Sequence, residues 1–81
     1  VPAVLRSKAH VALKLTVIAC RKEAGLTQEQ VAKAMGWDQQ TMSALETGGR
    51  GLDLTEVPAM AKALKTTFLK FCRRYSMFLT T

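Results

Sequence analysis

Apolar residues recur along this chain at spacings of three and four, the period of an amphipathic helix, and almost nowhere alternate as in a strand. The pattern predicts five helices in a single all-α domain spanning residues 1–81, at about 7–24, 28–35, 39–47, 56–65 and 67–78. The first carries two stripes: Leu13, Val17, Cys20 and Ala24, then Val11, Leu15 and Ile18. One stripe is enough to cover a small core, so the second must find another surface. The last helix is its expected partner, since Phe68, Phe71, Cys72, Tyr75 and Phe78 also fall three and four apart. That surplus is met either by packing within the molecule or by a dimer interface, and the two are compatible.

Punctuation supports these limits. Thr27, with Gln30 three residues on, has the spacing of a capping box, in which side chains satisfy two orphan N–H groups at a helix start. Asp38 can cap the third helix, and Gly25 and Gly48 suit helix ends. Pro58 is compatible with a helix only in the first turn, where its missing N–H costs nothing. Gly48-Gly49-Arg50-Gly51 reads as a loop.

The window from Gln28 to Thr47 reads as a helix-turn-helix, the unit that sets its second helix in the DNA major groove. Small Ala32 lets the two helices approach closely. Gly36 can take the positive φ needed to leave the first of them. Met42 and Leu45 point back into the core.

With these anchors, and with Arg21, Gly25-Leu26-Thr27-Gln28, Leu45-Glu46-Thr47-Gly48 and Ala61-Lys62-Ala63-Leu64, the chain resembles the Cro and repressor type of helix-turn-helix protein. This xenobiotic-response-element family includes the lambda and 434 phage repressors. The resemblance covers about residues 13–71 and implies a five-helix lambda-repressor-like fold. It also implies an operator-binding homodimer, with double-stranded DNA carrying a near-palindromic site as partner. By the same resemblance Gln39 and Gln40, with Ser43 and Ala44, read base edges. Gln28, Thr41, Thr47 and Arg50 stand near phosphates. Arg21 and Glu46 form a buried ion pair, and Phe71, Tyr75 and Phe78 meet the second subunit. Two departures stand out: Lys65 occupies a position that is often glycine, and Gly49 one that is often basic.

Charge complicates this picture. The formal net charge is +6, but between Gly25 and Val57 only Lys33 and Arg50 oppose Glu29, Asp38, Glu46, Asp53 and Glu56. Phosphate attraction supplies most non-specific DNA affinity, so a net acidic motif predicts weak binding by a monomer and reliance on dimerisation. Two functions follow: a DNA-binding transcription regulator acting as a repressor, or a protein-interaction module of the same fold, such as an antitoxin or accessory subunit. No triad, glycine-rich phosphate loop or zinc-ligand spacing is visible, so no enzyme activity, cofactor, metal or small-molecule ligand is expected. Cys20 and Cys72 are read as free thiols and His10 as exposed and inert. Trp37 is expected to plug the core at the turn. With no apolar run long enough to span a bilayer, the expected setting is the cytoplasm, on the nucleoid.

Overall fold

The computed structural model describes residues 7–80, so residues 1–6 and 81 of the expected domain lie outside the described residues. Its helices are α1 (Lys8–Glu23), α2 (Gln28–Met35), α3 (Gln39–Thr47), α4 (Val57–Ala63) and α5 (Phe68–Leu79), with a 3-10 turn at Leu54–Glu56 before α4. Helices α2 and α3 match the expected limits, because both ends of each are fixed by local chemistry. Thr27 caps α2 with both arms of its capping box, and Asp38 accepts from the Thr41 N–H at the start of α3. Gly36 and Gly48 end the two helices at φ 73° and 93°.

The fourth helix is shorter than expected. Asp53 and Glu56 form their own capping box one turn early, which winds Leu54–Glu56 as 3-10 and delays α4 to Val57. Pro58 then falls in the first turn of α4. At the other end Lys65 takes φ 58°, the one non-glycine residue in the left-handed region among those described. There it does the work a glycine often does, and Thr66 N–H reaches back to the Ala61 carbonyl.

The core is one cluster: Val17, Val31, Ala32, Met42, Leu45, Met60, Ala61, Leu64 and Phe71. Leu13 and Cys20 pack against it. The first stripe of α1 is therefore the one that faces inward, although Ala24 at its end is exposed. Helix α1 packs against α5 as expected, but the second stripe is only partly covered: Val11 and Leu15 remain exposed, and Ile18 is half-buried. Instead α1 buries Ala12 and Thr16, which neither stripe contained. The Thr16 hydroxyl donates to the Ala12 carbonyl at 2.7 Å, so a polar residue sits fully inside without an unmet hydrogen bond.

Two further expectations are corrected. Phe71 is 2% exposed and belongs to the molecule's own core, so it has no surface to offer a second subunit. His10 is buried rather than exposed, because the loop at Gly51 closes over the first turn of α1.

Candidate nucleic-acid interface

The candidate interface is built on α3. Its helical start is fixed by Asp38, whose carboxylate accepts from both the N–H and the hydroxyl of Thr41, each at 2.8 Å. Those two bonds hold the Asp38 carboxyl below its ordinary range. Gln39 and Gln40 follow immediately. Both are exposed, and neither amide is engaged by another described residue. Ser43 and Ala44, one turn on, are half-buried.

The helix is held in place by a buried ionic knot. Arg21 of α1 donates through Nε to Glu46 Oε2 (2.6 Å) and through a terminal nitrogen to Oε1 (3.0 Å), a two-point clamp. Its other terminal nitrogen donates to the Leu26 carbonyl (2.9 Å), tying in the α1–α2 turn. Gln28, the first residue of α2, donates its amide to Glu46 Oε1 (3.0 Å). One carboxylate on α3 therefore gathers α1, α2 and the turn between them. The expected ion pair is present, with side chains 14% and 5% exposed. The Gln28 amide, expected at a phosphate, is thus engaged within the molecule.

At the other end of α3 the expected phosphate-side residues are also engaged within the molecule. The Thr47 hydroxyl donates to the Ser43 and Ala44 carbonyls. Arg50 donates to the Gly51 carbonyl and to Glu56 Oε2, and its guanidinium lies 4.3 Å from the Trp37 ring centroid. Trp37 also packs against the core, so the plug at the α2–α3 turn is covered by a cation. Glu56 is held below its ordinary pKa first by the Asp53 N–H and then by Arg50. Among the described residues no three His, Cys, Asp or Glu side chains gather into a metal-binding group. No helix of the described chain is long and apolar enough to cross a membrane. Cys20 and Cys72 are free and half-buried.

A family model described as helix-turn-helix, of the Cro/C1 type, matches residues 17–71. The chain belongs to this helix-turn-helix family. The match takes in the clamp, the α2–α3 pair and the whole core through Phe71. Comparison with curated protein sequences finds no match. Among solved structures, the fold is similar to the wild-type restriction-modification controller protein C.Esp1396I, at 21% identity and a TM-score of 0.85 over 93% of this chain and 99% of that one. The same identity, coverage and score hold for the C.Esp1396I tetramer in complex with its natural 35 base-pair operator. It is also similar to the clp gene regulator ClgR from C. glutamicum, at 19% identity and 0.77 over 85% and 90% of the two chains. At these identities the likeness establishes the fold.

Proposed function

We infer that this helix-turn-helix protein is a DNA-binding transcription regulator that lays α3 in the major groove and acts as a homodimeric repressor on a near-palindromic operator. The observation that carries this reading is the pair of unengaged amides, Gln39 and Gln40, at the N-terminal end of a helix clamped from behind by Arg21. A glutamine amide offers a donor and an acceptor together, matching N6 and N7 of adenine. Ser43 and Ala44 extend the surface by one turn. Gln28, Thr41, Thr47 and Arg50 rim it, and would meet phosphates by adding a bond or exchanging an internal one. The operator complex of C.Esp1396I supports the reading by analogy of fold.

Dimerisation rests on an apolar face that includes part of α5. Phe68, Leu69, Cys72 and Tyr75 neighbour one another at helical spacing, and Leu54, 78% exposed, stands beside Cys72 and Tyr75. This face replaces Phe71 in the expected interface and keeps Tyr75; Phe78 is half-buried on the same helix. A regulator of this kind needs no enzymatic step and acts on the nucleoid, in the cytoplasm.

The charge of the motif favours a second reading, a module whose main partner is another protein. Its force is reduced by one charge: Glu46 is spent on Arg21, outside the motif, whereas Glu56 takes Arg50 with it and leaves Lys33 against Glu29, Asp38 and Asp53. Selection of sites from random duplex, followed by affinity measurements over a salt series, separates the two. A regulator prefers its selected site and loses affinity steeply with salt. A chain that enriches no site and binds no duplex at low salt is the interaction module instead.

A further inference from the structure

A groove of about 420 Å³ opens between the start of α1, the 51–57 segment and α5. Leu13, Leu52, Leu54, Val57, Cys72 and Tyr75 give it mostly apolar walls, and its size falls within the range of small-molecule pockets. One wall is His10, 8% exposed, whose Nε2 is buried and finds no hydrogen-bond partner among the described residues. Gly51 lies against the Nδ1–Cε1 edge of the same ring. A buried polar atom without a partner costs stability, and nothing in the DNA-reading surface requires one here.

We propose that this groove is a binding site for a small, largely apolar molecule bearing one hydroxyl group, with His10 as its polar anchor. An apolar body suits the walls. A hydroxyl both donates and accepts, so it can satisfy Nε2 in either imidazole tautomer. Presenting Nε2 to the ligand requires the His10 ring, which lines the groove, to turn about χ2, a broad torsion for histidine. An apolar side chain of a second copy would fill the same space and leave Nε2 unpaired, so the small molecule is the better occupant. Leu54 and Tyr75 belong both to this groove and to the proposed dimer face, so occupancy would alter assembly. That coupling rests on the dimer reading; the binding does not.

The test uses 2-naphthol and its hydroxyl-free counterpart naphthalene as probes. His10 is the chain's one histidine, so its imidazole nitrogen signals are unambiguous in NMR. Titration with 2-naphthol should shift them saturably, with affinity roughly tenfold above that of naphthalene, the worth of one hydrogen bond. H10F should erase that preference, and H10Q, which keeps hydrogen-bonding atoms, should retain part of it. No saturable shift in the wild-type chain overturns the site, and equal affinity for the two probes overturns the anchor. Shifts that follow protein concentration and are not displaced by 2-naphthol seat a second copy in the groove and overturn the small-molecule assignment. A wild-type chain that binds 2-naphthol but shows no change in assembly loses only the coupling to the dimer.

Discussion

Arg21 and Glu46, twenty-five residues apart, meet in a two-point ion pair that joins the first helix to the back of the third. The same carboxylate also accepts from Gln28, so removing Glu46 strands a buried guanidinium and an amide together. Glu46→Ala and Arg21→Ala should each destabilise the fold by roughly 3–5 kcal/mol, the cost of leaving a buried charge alone. Gln28→Ala should cost only about 1 kcal/mol, the net worth of a typical hydrogen bond. Replacing Arg21 and Glu46 together by apolar residues should cost less than the two single changes summed. Urea unfolding of the four variants checks this, and additive losses would show that the pair is not coupled.

Base reading by Gln39 and Gln40 predicts a different signature. Both side chains are exposed and unengaged, so Gln39→Ala and Gln40→Ala should leave the melting temperature almost unchanged. Each should weaken binding to the selected site by roughly 1–3 kcal/mol and relax base preference at one position. Affinity for random duplex should stay the same. Full operator preference in both variants would remove these residues from the recognition surface.

Two of the left-handed positions, Gly36 and Lys65, differ in what they cost. At Gly36, φ is 73° and an added Cβ would meet nothing within 4 Å, so the penalty for a side chain is backbone strain alone. Gly36→Val should therefore be strongly destabilising and Gly36→Asn much less so, since Asn tolerates this region. Lys65, at φ 58°, already carries that strain. Its roughly 1–2 kcal/mol exceeds the backbone-entropy cost of a glycine, about 0.5–1 kcal/mol. Lys65→Gly should thus raise the melting temperature, by roughly 2–8 °C for a domain of this size. A lower melting temperature would mean that Lys65 makes compensating contacts.

These residues also mark what the sequence could reveal. Caps are local chemistry, so Thr27, Asp38, Gly36 and Gly48 announced α2 and α3 correctly. The Arg21–Glu46 pair came from family resemblance, because no local rule joins residues so distant. Thr16 was missed since its hydroxyl is satisfied by its own helix. Nothing beside His10 in the sequence signals its burial, which comes from a loop forty-one residues away. Phe71 was placed on an interface because helical spacing shows that a face is apolar, not which edge of it the core takes.

Acid should loosen the molecule at its hydrogen-bonded carboxylates. Glu56 is held below its ordinary pKa by the Asp53 N–H and Arg50, Asp38 by Thr41, and Glu23 by Arg74. A depressed folded pKa means stability that is present above the unfolded value, about 4.3 for glutamate, and lost as pH falls through the folded one. Melting temperature should therefore fall progressively below about pH 4.3. Glu56→Gln should flatten part of that decline and lower the plateau at neutral pH. An unchanged acid limb in this variant would show that the cap and the Arg50 pairing contribute nothing to stability.

On the proposed reading, sequence-specific binding depends on assembly. One α3 reads few base pairs, and a two-fold dimer doubles the contacts by setting two such helices about one DNA turn, roughly 34 Å, apart. Exposed Leu54, Phe68 and Leu69, with half-buried Tyr75, form the apolar face proposed for that contact once Phe71 is assigned to the core. Leu54→Asp and Leu69→Asp place a charge on that face without touching the core. Each should shift sedimentation at micromolar concentration from dimer to monomer and leave the helical spectrum intact. Operator binding should then weaken by more than either Gln variant does, because half of the contacts go at once. A wild-type chain that sediments as a monomer with and without DNA, and saturates duplex one to one, would remove the dimer from this account.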